Sequence, residues 1–323
     1  MLGLGASINK RGFVSSGPEP LFLDEYSGAA AAYSLRKLSN IYSGPALQVR
    51  RESDNVEVDV SFDADGVVSL DSAVTNVTEE TSGSSQGSTT ATSLGEFVAN
   101  ASYTDTDNLG STDTARVQCW YDQSGNSNNA TQNAAASQPK IVSSGAVIVE
   151  NGKPAVENVI SGVQGLNIPS FTINLSDFTC TLVSKFYADS DHEGRPIMVN
   201  DDAGSGLDYR YKQFSIARGK FYIGTSTIQA YSNAVTFTPT NNQQLHTITP
   251  TNGYVDGTSA GTFGTAGEDL DLNPVLNYLT SGDIGRDRGT HANTSEVIIW
   301  TADQSAKRTG IESNIATFYG ITI

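Results

Sequence analysis

Short runs of alternating apolar and polar residues recur along the chain, and they predict a protein built mainly from β-strands. The clearest run places Val56, Val58 and Val60 on one face of a strand, because side chains alternate between the two faces with a period of two. Similar runs predict further strands over residues 46–51, 117–121, 139–142, 146–150, 178–187, 196–199, 213–217, 220–224, 244–249, 253–256 and 295–300.

Two segments follow a helical pattern instead. Residues 28–38 include four consecutive alanines and carry apolar side chains on one side, which predicts a short helix. Residues 304–318 place Ile311, Ile315 and Phe318 on one helical face, which predicts a helix after the last strand. Many short strands, with helices only near the two ends, favour a β-sandwich.

Glycine and proline punctuate residues 1–24, where no hydrophobic period holds, so this segment is predicted to be an extended N-terminal arm. Its apolar side chains include Phe13, Leu21, Phe22 and Leu23. An arm that cannot fold alone needs a surface on which to bury these residues. The arm is therefore predicted to attach the protein to a partner or to sister subunits.

The chain carries 35 acidic and 19 basic side chains, which gives a net charge of −16. Such a surface repels phosphate backbones, so nucleic acid is excluded as a partner. No stretch approaches the roughly 18 apolar residues that span a membrane. The first basic residues, Lys10 and Arg11, follow the short apolar opening, unlike those of a cleaved export signal. The sequence thus predicts a protein made in a cytoplasm, without a membrane partner.

The cysteines and histidines show no metal-ligand or catalytic spacing. Cys119 and Cys180 lie in apolar, strand-like runs, which favours two buried free thiols and leaves a disulfide open. The three histidines are too widely separated for a triad or a zinc motif, so they are interpreted as surface or hydrogen-bonded residues. They are His192, His246 and His291.

Calcium is the metal for which the sequence does offer ligands. This ion prefers oxygen ligands, and two nearby acidic segments supply them through Asp189, Asp191, Asp201 and Asp202. The same residues also fit a solvated acidic loop, so both interpretations stay open. No other cofactor is predicted.

The later half of the chain resembles the laminin-G or concanavalin A-like jelly roll. The resemblance rests on the hairpin Gly253-Tyr-Val-Asp-Gly257, on Ile284-Gly-Arg-Asp287, and on the last strand with its closing helix. The first half resembles the catalytic domain of fungal-type α-L-arabinofuranosidase B, through residues 42–54 and 120–131.

Together the two resemblances imply a mostly β, concanavalin A-like (laminin-G-like) jelly-roll sandwich with a few short helices. This domain would cover residues 25–323 and follow the arm. The Gly/Ser/Thr-rich residues 79–95 are predicted to form an exposed loop within it.

The arabinofuranosidase resemblance also bears on catalysis, since glycoside hydrolysis uses two carboxylates that flank the scissile bond. The family's acid/base aspartate corresponds to Asp283 or Asp287. The stretch that matches the nucleophile region, Met198–Asp208, has neither a glutamate nor the family's vicinal cysteine pair. The resemblance therefore implies a non-enzymatic relative, and Asp283 and Asp287 are the catalytic candidates only if the chain is an enzyme.

The same features, with the opening Met1-Leu-Gly-Leu-Gly5, are similar to virion structural proteins of marine and cyanobacterial tailed phages. This resemblance implies a virion component made in the host cytoplasm: a capsid decoration, head fibre or tail-associated protein. Its partners would be capsid or tail proteins and further copies of itself, for example in a trimer. The alternative is a carbohydrate-active enzyme or carbohydrate-binding module related to α-L-arabinofuranosidase, because jelly rolls serve both roles.

A cell-surface glycan is a further predicted partner. Aromatic rings that stay exposed can stack on sugars, and the candidates are Tyr209, Tyr211, Tyr222 and Tyr231. Strand alternation would place about half of such residues in the core instead. The sequence therefore leaves open which of the four tyrosines are exposed.

Overall fold

The computed structural model describes residues 19–77, 89–99, 112–159, 164–169, 171–187, 197–200, 213–217, 219–224, 234–263, 269–271, 278–279 and 291–323. Within these ranges strands predominate over helices. The strands before residue 160 are β1 (Ala29–Ser34), β2 (Leu47–Arg51), β3 (Glu57–Val60), β4 (Val74–Asn76), β5 (Ala115–Trp120), β6 (Ala130–Thr131), β7 (Lys140–Ser143), β8 (Ala146–Val147), β9 (Val149–Glu150), β10 (Lys153–Pro154) and β11 (Val156–Asn158).

The later strands are β12 (Leu166–Asn167), β13 (Thr172–Asn174), β14 (Thr179–Phe186), β15 (Ile197–Asn200), β16 (Gln213–Ala217), β17 (Lys220–Gly224), β18 (Ala234–Thr236), β19 (Gln243–Ile248), β20 (Asn252–Val255), β21 (Thr258–Thr262), β22 (Asp269–Asp271), β23 (Tyr278–Leu279) and β24 (Ala292–Trp300). The helices are α1 (Phe22–Glu25), α2 (Leu94–Ala99) and α3 (Arg308–Tyr319), and a single 3₁₀ turn covers Ala135–Ser137. No helix in the described ranges is both long and apolar enough to cross a membrane.

The strands form an antiparallel β-sandwich, and β24 lies at its centre. One edge of β24 pairs with β1 and β11, and its other edge pairs with β14. The sheet continues from β14 through β19 and β20 to β21. The opposite sheet runs from β4 through β3 and β2 to β5. It continues through β6, β12, β23, β15, β16 and β17 to β18.

Alternation along β24 divides its side chains between two hydrophobic clusters. Val297 and Ile299 face the main core between the sheets. Ile298 and Trp300 face a second cluster, in which α3 covers the outer face of the sheet. All nine residues of β24 are buried. The molecule therefore has three layers: a helix, a sheet covered on both faces, and the opposite sheet.

The sequence-based prediction of a helix over residues 28–38 is wrong, because Ala29–Ser34 forms β1. Helix propensity of alanine is a weak preference that tertiary pairing overrides. Here Ala31 and Tyr33 face the main core, while Ala29 and Ala32 face the α3 side, so both faces are buried. A strand between two apolar layers buries both faces, and Ala29 and Ala32 belong to the same cluster as Trp300.

Other predicted elements are confirmed. Val56, Val58 and Val60 are all buried in the main core, as the alternation requires. The closing helix is present, with Ile311 and Ile315 buried against the sheet. Phe318 packs at the edge of the same cluster and is only partly buried.

The predicted arm and loop boundaries differ from the structure. Phe22 and Leu23 are buried in the second cluster as part of α1, so their apolar surface is already used within the chain. Leu21 precedes that helix and is half-buried, whereas Phe13 lies outside the described residues. The predicted 79–95 loop ends early, because Leu94 is buried and begins α2.

Candidate functional site

Most residues that the sequence singled out for chemistry lie outside the described ranges. They are Asp283 and Asp287; Tyr209, Tyr211 and Tyr231; Asp189, Asp191, Asp201 and Asp202; and His192. Tyr222 belongs to β17, where its backbone is opposite Ser215 of β16 and Ala234 of β18. The candidate sites described below are therefore formed by other residues.

A cluster of polar side chains lies where β14 ends and β24 begins. We call it the strand-end cluster, and it consists of Glu150, Lys185, Tyr187, His291 and Asn293. Lys185 Nζ lies 3.1 Å from both carboxylate oxygens of Glu150. Asn293 Nδ2 donates to Glu150 Oε1 at 2.8 Å, and the Tyr187 hydroxyl donates to the same oxygen at 3.3 Å. His291 stacks on Tyr187 with ring centroids 3.9 Å apart.

Burial and charge both act on the cluster. Partial burial lowers the pKa of Lys185, but hydrogen bonding and charge from Glu150 outweigh it, so the pKa is raised overall. Burial also raises the pKa of Tyr187, and the neighbouring Glu150 carboxylate adds to this increase. Lys185 is therefore held as a cation and Tyr187 as a neutral phenol, while Glu150 serves as the acceptor for both.

The cluster adjoins the segments that carry the predicted carboxylates. Tyr187 directly precedes residues 188–196, and His291 directly follows residues 280–290. The cluster thus holds the end of β14 and the beginning of β24 together.

The sequence analysis missed this cluster because its members come from three distant strands. The available signal was weak: Lys185 lies near the end of β14 and Tyr187 directly follows that strand, while His291 and Asn293 flank the first residue of β24. Glu150 follows an exposed valine in a two-residue strand, which carries no signal of its own.

The stretch Trp120–Thr131, on which the arabinofuranosidase resemblance partly rests, has a structural role in this fold. Asp122 Oδ1 accepts hydrogen bonds from the N–H groups of Ala32 and Ser124, both at 2.8 Å. Its Oδ2 accepts from the Ser124 hydroxyl at 2.7 Å and from the Asn128 N–H at 3.0 Å. The buried carboxylate therefore ties this loop to the edge of β1 that faces away from β24.

A groove opens beside the same loop, at the other end of β24. We call it the serine-lined groove; its volume is about 340 Å³, and its lining comprises Leu23, Ser27, Gly28, Ala29, Ser39, Ile41, Tyr42, Ser43, Gly44, Gln123, Ser124 and Gly125. No charged residue belongs to this lining. It combines hydroxyl groups and glycine backbone with a few apolar side chains.

His246 is the histidine that the sequence analysis misjudged. It is fully buried in β19 and is neither a surface residue nor a hydrogen-bonded one. Its ring lies 5.2 Å from the rings of Phe186 and Phe237 and 6.1 Å from Phe221. Burial lowers the pKa of His246 to about 3. The ring is therefore a neutral member of the core.

The described part of the chain contains neither a metal-binding group nor a reactive thiol. No group of three or more His, Cys, Asp or Glu side chains comes together there in a way that could hold an ion. Cys119 and Cys180 are free and buried, as predicted. Burial raises the pKa of Cys119 to about 12 and raises that of Cys180 as well, so neither is a reactive thiolate near neutral pH.

The fold is one that glycoside hydrolases use. Two solved structures of a GH54 α-L-arabinofuranosidase match with a TM-score of 0.55 and 13% identity, over 89% of this chain and 62% of theirs. One was soaked with a cyclic sulfate inhibitor, and the other, a glutamate mutant, with 4-nitrophenyl α-L-arabinofuranoside. The chain thus spans less than two thirds of the length of those proteins.

Other comparisons add little. Trypanosoma rangeli sialidase covers 62% of the chain with a TM-score of 0.39 and 13% identity, a likeness too weak to support an argument. No protein-family model matches the sequence, and no curated protein matches it.

These findings confirm the jelly-roll-type sandwich and the arabinofuranosidase-like architecture, and they correct one prediction. From the sequence, we predicted a protein without enzymatic activity. That prediction is contradicted, because the two solved structures that match over 89% of this chain are those of an enzyme, a GH54 α-L-arabinofuranosidase.

Proposed function

We propose that the chain is a carbohydrate-active protein of the glycoside hydrolase class, acting on α-L-arabinofuranosyl linkages. The observation that carries the proposal is the sandwich shared with the GH54 arabinofuranosidase over 89% of this chain. The strand-end cluster supports the proposal, because it joins β14 to β24. In sequence, β14 leads into the segment before β15, and the segment that contains Asp283 leads into β24.

The proposed mechanism needs a general acid that protonates the leaving oxygen and a second carboxylate on the other side of the sugar. Asp283 or Asp287 is the proposed acid, and its segment leads into His291. In the strand-end cluster, Lys185, Tyr187 and Asn293 all donate to Glu150, so Glu150 is occupied and acts as a positioning residue. Its part would be to hold the ends of β14 and β24 in register.

The test is release of nitrophenol from 4-nitrophenyl α-L-arabinofuranoside. The unaltered chain should turn this substrate over, and either Asp283→Asn or Asp287→Asn should lower kcat by about 10³-fold or more, because removing the acid leaves the leaving group unprotonated. Asp65→Asn is the matched control, since this exposed aspartate lies in a turn on the first half of the chain.

Equal melting temperatures for the three variants would show that lost activity is not lost folding. The proposal fails if the unaltered chain releases no nitrophenol, or if both aspartate variants keep full activity.

A virion role remains a second proposal for the same sandwich. It rests on the resemblance of the sequence to tailed-phage structural proteins, and the partners, trimeric assembly and virion location go with it. The two proposals are compatible, because a particle-borne protein that meets a cell surface can also cleave its glycans.

A further inference from the structure

We propose that the serine-lined groove is a binding subsite for neutral oligosaccharides, separate from the strand-end cluster. The inference rests on the proposed carbohydrate function and adds a second place at which the glycan is held. Its volume of about 340 Å³ lies at the lower end of the range for small-molecule sites.

The position of the groove separates it from the strand-end cluster. Ala29, in the groove wall, pairs with Trp300 at the end of β24, whereas Asn293 of the cluster lies at the beginning of that strand. Seven residues of strand separate Asn293 from Trp300, which corresponds to about 23 Å. The two sites could therefore contact different units of one polymer.

The groove offers hydrogen-bond donors that the chain itself leaves unused. Among the described residues, the N–H groups of Ser43, Gly44 and Gly125 meet no acceptor. The exposed hydroxyls of Ser27 and Ser43 likewise have no partner within the described ranges. At Gly125 a side chain would point into open space, so the backbone there stays accessible to a ligand.

The remaining lining selects for the class of ligand. Ile41 is 92% exposed at the rim, an unusual position for a large apolar side chain. Apolar contact from Ile41 and hydroxyl or amide hydrogen bonds suit the mixed faces of a sugar ring. The lining has no charge and the chain carries −16, so an anionic sugar would be repelled.

Titration calorimetry of the full chain with arabinotriose, xylotriose and trigalacturonic acid tests the inference. We expect the neutral trisaccharides to bind with a Kd of about 1 mM or tighter, and the anionic one to bind at least about tenfold more weakly. Ser43→Phe should fill the groove and weaken neutral binding about tenfold or more. Ile41→Ala should weaken it severalfold by removing the apolar contact.

The matched control is Ser259→Phe, which adds the same side chain at an exposed serine of β21. It should leave binding unchanged, and equal melting temperatures should show that all variants fold. The inference is overturned if no neutral trisaccharide binds, if Ser43→Phe binds as well as the unaltered chain, or if the anionic sugar binds best.

Failure of this subsite can be told apart from failure of the proposed hydrolase. Ser43→Phe should leave turnover of the small aryl arabinofuranoside unchanged, because the groove lies about 23 Å from the strand-end cluster along β24. Binding that depends on Ser43 in a chain without turnover would refute only the hydrolase. Turnover without groove binding would refute only the subsite.

Discussion

At the scale of single residues, His246 shows how the core tolerates a polar ring. Both ring nitrogens are buried without a hydrogen-bond partner, and three phenylalanines surround them. A buried unpaired donor costs about 1–3 kcal/mol of stability. The neutral imidazole is therefore accepted at a cost, and the charged form would be far more costly.

This position predicts how stability depends on acid. The pKa of His246 is about 3 in the folded chain and 6.5 for the free side chain, so protonation favours the unfolded chain. Its contribution to stability is constant above about pH 6.5 and falls as the pH drops toward 3, by up to about 1.4 kcal/mol per pH unit. His246→Phe should remove this loss and raise the free energy of unfolding at pH 5.

Denaturant unfolding from pH 8 to pH 4 measures the effect. His291→Phe is the control, because His291 lies at the surface-facing stack with Tyr187 and its replacement keeps an aromatic ring there. If both His246→Phe and His246→Leu kept the pH dependence of the unaltered chain, His246 would not be the cause of the loss of stability in acid.

At the scale of elements, β1 depends on the loop that follows β5. Asp122 binds the N–H of Ala32, and Gln123 donates to the carbonyls of Ser34 and Arg36. These side chains occupy the edge of β1 that no strand of the described residues covers, and an uncovered edge is open to pairing with other chains. The loop thus replaces a missing neighbouring strand.

Asp122→Asn should destabilise the fold by about 2–3 kcal/mol. The side-chain NH₂ of asparagine would face donors whose hydrogen bonds the carboxylate now accepts, and these donors would lose their acceptor. Urea unfolding measures the change. Asp65→Asn removes the same charge from an exposed turn and should change stability by less than about 0.5 kcal/mol. Equal stability of the two variants would show that Asp122 does not hold β1.

At the scale of the whole molecule, α1 joins the N-terminal side of the described chain to the second hydrophobic cluster. Deleting residues 1–20 keeps Phe22 and Leu23, which are buried against Trp300 and α3. Deleting residues 1–24 removes both side chains and should cost at least about 3 kcal/mol more, because large buried side chains are lost. Melting temperatures of the two truncated chains test this, and equal values would contradict it.

The amino-acid sequence predicted most of the sandwich but little of its site. Alternation located strands such as Glu57–Val60 because one side of each strand must be apolar. Alternation failed to predict β1, because both faces of this strand are buried and its consecutive alanines show no alternation of apolar and polar residues. The strand-end cluster and the groove could not be predicted, because each combines segments that only the strand pairing brings together.

The pairing of β1 with β24 also constrains how the chain is made. Residue 29 pairs with residue 300, so the ribosome must release nearly the whole chain before β1 meets its partner. At bacterial to eukaryotic synthesis rates this takes roughly a quarter of a minute to a minute. Until then the apolar strands of the first half lack the central strand that covers them. Translation speed therefore sets how long these strands remain open to aggregation or to chaperones.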